Sequence, residues 1–228
     1  MKFPIEVAAV AFDLDGTLVE TLPDLHESAN RMLAKIGRPP VSELTVRAYV
    51  GDGVDHLVRR LLTGKPDGEP DPDLFEMAAE NFRSHYASVL TRASHPFSGV
   101  ISVLKILRER GFKLACVTNK PARFTEPLLD GLALTGYFDL ILSGDSLPRK
   151  KPDPLPLLHL ASAFGIELAQ LLMVGDSPVD TGAARAAGCS VFCVPYGYRG
   201  TLAVQELDCD VIVPTLPDLL ELIRRPRS

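Results

Sequence analysis

Two carboxylates two residues apart, followed at once by glycine, stand at Asp13-Leu14-Asp15-Gly16-Thr17. They follow the apolar run Val7-Ala8-Ala9-Val10-Ala11-Phe12. Such a run predicts a buried strand over 7–13 that lifts both acids out of its C-terminal end. In an open parallel α/β sheet, ligands sit beyond those ends. Residues i and i+2 share a face only while the chain is extended. Gly16 then allows the backbone to turn sharply. In such a pair one acid can serve as nucleophile or metal ligand and the other as proton donor. An isolated Asp-x-Asp-Gly is equally often a solvated turn, so the meaning depends on three later segments.

The first is Lys113-Leu114-Ala115-Cys116-Val117-Thr118, a predicted strand running into Asn119-Lys120-Pro121. A Thr hydroxyl and free backbone N–H groups at a strand end can hold a phosphate oxygen, although a Thr beside an Asn-containing turn is often only structural. The second is the basic loop Pro148-Arg149-Lys150-Lys151-Pro152-Asp153-Pro154. Lys151 could project a point charge into a site, or the loop could simply be solvated. The third is Leu171-Leu172-Met173-Val174-Gly175-Asp176-Ser177-Pro178-Val179-Asp180. Another buried strand ends here in Gly-Asp, with Asp180 in the first turn of the helix that follows. Ser177, Asp176 and Asp180 could instead be helix caps, which explains one acid but not both beside glycine. Each signal is modest alone. Together, several strands of one sheet deliver Asp13, Asp15, Thr118, Lys151 and Asp176 to one edge. Three carboxylates with one Lys suit a hard cation with oxygen ligands plus a phosphate, and Mg²⁺ takes few protein carboxylates because it keeps waters.

The positioning elements follow from periodicity. Strands are predicted at 7–13, 113–118, 138–143, 171–175, 190–195 and 210–213, as short apolar runs typical of strands covered on both faces. Helices are predicted at 99–110, 122–134, 154–164, 178–187 and 216–225. This alternation implies an α/β fold, a doubly wound parallel sheet with a Rossmann-like core. Between Asp13 and Thr118 lie roughly 100 residues, against about 30 for a plain βαβ unit. The excess reads as helices at 22–36, 43–50, 53–63 and 72–90, with a Pro-rich acidic loop at 64–73. Helices in series form a bundle. The expected division is therefore a core of 1–18 and 95–228 and an inserted helical cap domain of 19–94, hinged over the active end of the sheet.

Composition narrows the function classes. The 228 residues are 46% hydrophobic and 23% charged, with net charge −5, ordinary for a globular protein. No basic stripe with interleaved aromatics is present, so no nucleic-acid partner is expected. No apolar run is long enough to cross a bilayer, so no membrane partner is expected. Met1-Lys2-Phe3-Pro4-Ile5-Glu6 lacks the apolar region of a signal peptide, which makes the cytoplasm the expected location. Cys116, Cys189, Cys193 and Cys209 form no CxxC pair, and their spacing fits neither a disulfide framework nor a zinc site.

With four motifs in order, Asp13-Leu14-Asp15-Gly16-Thr17, Thr118-Asn119, Lys151-Pro152 and Gly175-Asp176-Ser177 with Asp180, the chain resembles the haloacid dehalogenase superfamily of phosphotransferases over nearly its whole length. The insertion after the first motif resembles the cap of one subgroup. Longer stretches resemble the bacterial phosphoglycolate phosphatases: Leu22-Pro23-Asp24-Leu25 through Gly37-Arg38-Pro39-Pro40, Val50-Gly51-Asp52-Gly53, Val117–Pro121, Gly144–Pro148 and Tyr196-Gly197-Tyr198. Two departures are Glu20-Thr21 for the more usual Asp-Ser and Ser98-Gly99 for Pro-Gly.

The resemblance implies an Mg²⁺-dependent phosphomonoester hydrolase acting on a small phosphorylated metabolite, 2-phosphoglycolate first. It implies Asp13 as nucleophile and Asp15 as acid and base. The metal ligands would be the Asp13 carboxylate, the Asp15 carbonyl and Asp176. Asp180 would act through metal-bound water or orient Lys151. Thr118, Asn119 and Lys151 would hold the phosphate. Gly51 and Gly53 would shape the cap's substrate-facing turn, and Arg47 is a candidate for the substrate carboxylate, or else a solvated helix residue. A sugar-phosphate phosphatase or a phosphomutase would keep the same core, and a non-catalytic binding scaffold would normally have lost a carboxylate. A monomer or a homodimer is expected.

Overall fold

The computed structural model describes residues 2–226; Met1, Arg227 and Ser228, at the limits of the expected core, lie outside the described residues. Strands β1 (Ile5–Glu6), β2 (Ala9–Phe12) and β3 (Val19–Glu20) come first, followed by helices α1 (Leu22–Lys35), α2 (Glu43–Tyr49), α3 (Val54–Thr63) and α4 (Pro72–Val89). The chain returns through β4 (His95–Pro96) and α5 (Val100–Glu109) to β5 (Lys113–Val117), α6 (Ala122–Gly131) and β6 (Leu140–Leu142). Then come α7 (Leu155–Phe164), β7 (Leu171–Gly175), α8 (Pro178–Ala187), β8 (Ser190–Cys193), β9 (Val211–Ile212), α9 (Leu219–Leu222) and β10 (Ile223–Arg224).

Six strands form one sheet in the order β6-β5-β2-β7-β8-β9, with every pairing parallel. The chain steps outward from β2 through β5 to β6, then crosses back to β7 on the other side of β2. The order therefore reverses beside β2. In doubly wound sheets the crevice at such a reversal is where ligands bind. Alternation along β2 divides the core. Val10 and Phe12 join α5 and α6 on one face, with Leu104, Leu107, Leu128 and Leu129. Ala9 and Ala11 face Ala183, Ala184 and Ala187 of α8 and Leu157 and Leu160 of α7 on the other. Small residues on both sides let α8 approach the sheet closely, so its first turn sits near the strand ends.

Helices α1 to α4 pack around their own apolar cluster, which includes Met32, Val58, Phe82 and Tyr86 and also takes in Phe124 and Tyr198 from outside the insertion. Ser42 caps α2 by accepting from the Thr45 N–H at 3.2 Å, and Asp71 caps α4 by accepting from the Leu74 N–H at 3.0 Å. Such caps satisfy donors that a helix start leaves open. The two connections to this helical insertion are pinned together. β3 pairs antiparallel with β4, Val19 opposite Pro96 and Glu20 opposite His95. Beside them the buried Asp24 accepts from the Ala93 N–H at 3.1 Å and from the Ser94 N–H and hydroxyl, both at 2.7 Å. Burying a carboxylate is tolerable here because several donors replace its water.

The C-terminus departs from the expected helix over 216–225. A single 3₁₀ turn at Leu216–Asp218 leads into the short α9, and Ile223–Arg224 becomes strand β10, parallel to β1. Ile223 is buried in the main core, and Arg224 meets Glu6 at 2.9 Å. The leucine spacing is helical, but the backbone of β1 offers hydrogen bonds and a core slot that a β-branched residue fills. All four cysteines are free thiols, three of them buried. No helix among the described residues is long and apolar enough to cross a membrane.

Candidate active site

The strand ends converge as their order requires. Asp13 directly follows β2, and its N–H donates to the Val174 carbonyl of β7 at 2.9 Å. Thr118 follows β5, and its N–H donates to the Leu142 carbonyl of β6 at 2.9 Å. Asp176 follows β7 and starts the turn into α8. Lys151 arrives from the loop between β6 and α7. Its ammonium donates to Asp13 Oδ1 at 2.7 Å and to Asp180 Oδ1 at 2.6 Å. Gly16 makes the turn possible. Its φ is +88°, and a Cβ there would lie 2.5 Å from Asp176 Oδ2.

One carboxylate oxygen each of Asp13, Asp176 and Asp180 lies within 4.8 Å of the others, a spacing that could hold a metal ion. Crowding three carboxylates out of water has an electrostatic cost. Burial pushes the Asp13 carboxyl up to about 7; the Asp180 and Asp15 charges add to this, and Lys151 opposes it. Burial, then Asp180 and Asp13, also holds Asp176 well above the usual carboxylate range. For Lys151, burial works against the charged form, but Asp13 and Asp180 outweigh it and raise its pKa. Fully ionised, the three carboxylates would carry more negative charge than Lys151 alone balances, which is why burial and mutual repulsion favour protons on Asp13 and Asp176.

The donor set fits a hard divalent cation, and it sorts the three acids. Both Asp180 oxygens are committed. Oδ1 accepts from Lys151; Oδ2 accepts from the N–H groups of Asp176 and Ser177, both at 3.1 Å, and from the Ser177 hydroxyl at 2.6 Å. Asp180 thus caps α8 and anchors Lys151. Asp176 accepts from the Thr17 hydroxyl at 3.3 Å and from the Tyr198 N–H. Among the described residues, no hydrogen bond reaches Asp13 Oδ2. With one donor on Asp13 and two on Asp176 against four on Asp180, Asp13 and Asp176 keep the most lone pairs free for a cation, a small number of carboxylates of the kind Mg²⁺ accepts.

Asp15 lines the same cavity, as do Leu25, Val50, Val54 and Leu57 of the insertion. Thr118 and Asn119 also line it. The Thr118 hydroxyl accepts from the Lys120 N–H at 3.1 Å. The Asn119 side-chain amide donates to the Gly51 carbonyl at 3.1 Å and to the Lys151 carbonyl at 2.9 Å, while its buried Oδ1 has no partner. Gly51 and Gly53 are thereby placed at the cavity, Gly53 with φ +90° and its Cα too near the Asn119 carbonyl for a side chain to fit without a shift. Lys150 donates to the Asp52 carbonyl at 2.6 Å, closing the same contact from the other side.

Arg47 is placed elsewhere than the substrate-carboxylate role requires. Its guanidinium donates to the carbonyls of Tyr196 and Gly197, the latter at 2.9 Å, and lies 5.5 Å from the Tyr198 ring centre. It ties α2 to the loop after β8 and does not line the cavity. Two residues that motif spacing does not single out do line it: Lys120 and Tyr198. The ammonium of Lys120 donates to both oxygens of Asp15, at 2.9 and 3.1 Å, and to the Tyr86 hydroxyl at 2.6 Å. The Tyr198 hydroxyl accepts from the N–H groups of Thr21 and Leu22 and donates to Glu20, which clamps the entry to α1. Both residues stand within stretches carrying the resemblance, but only the fold reveals their partners.

A doubly wound α/β sheet carries this acid cluster at its strand reversal. A family model described as haloacid dehalogenase-like hydrolase matches residues 10–194, and the chain belongs to that family. The chain is 51% identical over 224 residues to a phosphoglycolate phosphatase of Thiobacillus denitrificans, with 98% of this chain and 99% of that protein aligned. It is 50% identical over 225 residues to a phosphoglycolate phosphatase of Nitrosospira multiformis, with 99% of each covered. Among solved structures, a predicted phosphoglycolate phosphatase from Haemophilus somnus superposes with a TM-score of 0.89 at 35% identity. That match covers 94% of this chain and 96% of that one.

Proposed function

We propose that this protein is an Mg²⁺-dependent phosphomonoester hydrolase that passes through an aspartyl phosphate on Asp13, with 2-phosphoglycolate as its preferred substrate. The observation that carries the chemistry is the Asp13–Lys151–Asp180 row beside Asp176, with Asp15 lining the same cavity. The substrate preference is supported by the names of relatives at 50–51% identity over almost the whole chain.

In this reading the phosphate enters between Thr118, Asn119 and Lys151. Asp13 attacks phosphorus, forming an acyl phosphate as the bond to the alkoxide breaks. Asp15 gives its proton to that alkoxide, then takes a proton from the water that cleaves the acyl phosphate. Inorganic phosphate and the alcohol leave, and Asp13 is regenerated. Mg²⁺, when held by Asp13, Asp176 and the Asp15 carbonyl, supplies positive charge where two anions approach each other. Lys151 adds to this and is kept from wandering by Asp180. The helical insertion acts as a cap: its apolar wall excludes water and fits a small leaving group.

The test is phosphate release from a panel of phosphomonoesters, run with and without EDTA and beside Asp13→Asn. The reading requires 2-phosphoglycolate to be preferred, with the activity lost on chelation and in the variant. Preference for a sugar phosphate would overturn the substrate. Activity surviving EDTA, or surviving Asp13→Asn, would overturn the mechanism.

A further inference from the structure

We infer that Lys120 is a positioning residue for Asp15, and that Tyr86 of the helical insertion completes its hold. The inference deepens the hydrolase reading and rests on it. An ammonium has three donors, and all three are used here. Two go to the two oxygens of the Asp15 carboxylate, at 2.9 and 3.1 Å, and one goes to the Tyr86 hydroxyl at 2.6 Å. The ammonium sits at the hydroxyl edge of the Tyr86 ring, 4.8 Å from its centre. Lys120 and Tyr86 are both buried.

Rotation about the bond carrying an Asp carboxyl is soft, because that torsion has a broad minimum. An acid that must present one oxygen to a departing alkoxide gains from having this rotation fixed. Gripping both oxygens from one point fixes it in the ionised form, and when Asp15 carries the proton that it gives to the alkoxide the unprotonated oxygen keeps its ammonium contact. The grip is itself built on the core. The Lys120 N–H donates to Thr118 Oγ1 at 3.1 Å, and its carbonyl accepts from the Gly144 N–H at 2.9 Å and the Thr125 hydroxyl at 3.0 Å. Only the third contact crosses to the insertion. Tyr86 sits on α4 and is held by Phe82 and Phe124, with ring centres 5.7 and 5.2 Å away. Seating of the insertion therefore delivers the group that completes the ammonium's shell and, through it, the aim of Asp15. Lys120 is not a free cation for substrate: every donor it has is engaged.

The experiment compares two phosphomonoesters in saturating Mg²⁺, an alkyl ester whose leaving group needs a proton and 4-nitrophenyl phosphate, whose leaving group needs none. Lys120→Met is expected to lower kcat on the alkyl ester by about 100-fold, the lower range for loss of general acid catalysis, and on the aryl ester by under tenfold. Lys120→Arg should recover part of the alkyl activity. Tyr86→Phe, which removes one oxygen and leaves the packing, should cost the alkyl ester roughly 3- to 10-fold in kcat with KM within about twofold. In an Asp15→Asn background, Lys120→Met should cost no more than about threefold further, because both changes remove one function. Equal losses on both esters, or losses that multiply in the double variant, would overturn the inference while leaving the hydrolase reading intact. Should Lys120→Met fail to fold, Tyr86→Phe decides: an unchanged ratio of the two esters overturns it. A wild-type protein that releases phosphate from neither ester would remove the hydrolase reading and this inference together.

Discussion

The strand ends of the core and the facing wall of the helical insertion meet at one cavity but contribute opposite chemistry. The core side is ionic: Asp13, Asp176, Asp180, Lys120 and Lys151 are all buried there, Lys151 bridging Asp13 and Asp180 and Lys120 holding Asp15. The insertion side is mostly apolar, with Leu25, Val50, Val54 and Leu57, and its polar contacts to the core include backbone carbonyls of Gly51 and Asp52. The difference assigns the work. Groups that must hold a fixed place to within an ångström sit on a parallel sheet locked by packing on both faces. The apolar lining sits on an insertion joined to the core by two pinned strands, where the proposed reaction would have it exclude water and admit a small leaving group.

That division makes graded predictions. The largest effect should come from the core: if Asp13 is the nucleophile as proposed, Asp13→Asn is expected to lower phosphate release by at least about 10⁴-fold while leaving thermal unfolding little changed or raised. An active Asp13→Asn protein would erase the contrast. Phe82→Ala in the insertion should do the reverse. It removes a fully buried ring from the helical cluster and should destabilise by about 3–5 kcal/mol, with kcat of the folded fraction on 4-nitrophenyl phosphate within a few-fold of wild type. Chemical denaturation beside active-site titration reads both. If kcat collapses with stability retained, the two regions are not separable.

Arg47 probes the seam between them. Replacing it with Met removes charge-assisted hydrogen bonds to the Tyr196 and Gly197 carbonyls, worth about 1.5–3 kcal/mol before allowance for solvent at this half-exposed site. A lower melting temperature with KM for phosphoglycolate within about threefold is the expected outcome. A KM rise near 100-fold would return Arg47 to the substrate-carboxylate role. The smallest effect belongs to Leu44, the most exposed large hydrophobic among the described residues at 76%. Leu44→Ser should stay within about 0.5 kcal/mol of wild type by denaturation; a larger loss would mean that α2 makes contacts this fold does not contain.

Much of the site was legible in the chain itself. Continuous apolar runs ending in Asp, Thr or Gly-Asp marked β2, β5 and β7, because strands covered on both faces carry no alternation and stop where polar chemistry begins. The surplus of residues between Asp13 and Thr118 marked the insertion. The β3–β4 ladder at its base was not legible, since two residues per strand leave no periodic signal. The C-terminal Leu216, Leu219, Leu220 and Leu222 read as a helix; only the partner strand Ile5–Glu6 ends that helix and turns Ile223–Arg224 into β10. Arg47 looked available for a ligand because a sequence carries no direction for a long side chain.

The sequence by itself determined which groups exist and that they stand at strand ends: two acids around Leu14, a Thr, a Lys before proline, and a Gly-Asp with a second acid one helical turn on. Local spacing suffices for this, because strand and helix periods are properties of the backbone. The tertiary structure alone decided how charge is shared. It gave four donors to Asp180, from Lys151 and the α8 N-terminus, and fewer to Asp13 and Asp176. It brought Lys120 and Tyr86 to Asp15. Those choices depend on distances between residues far apart in the chain, and such distances are fixed only when two packed faces and a seated insertion bring them together.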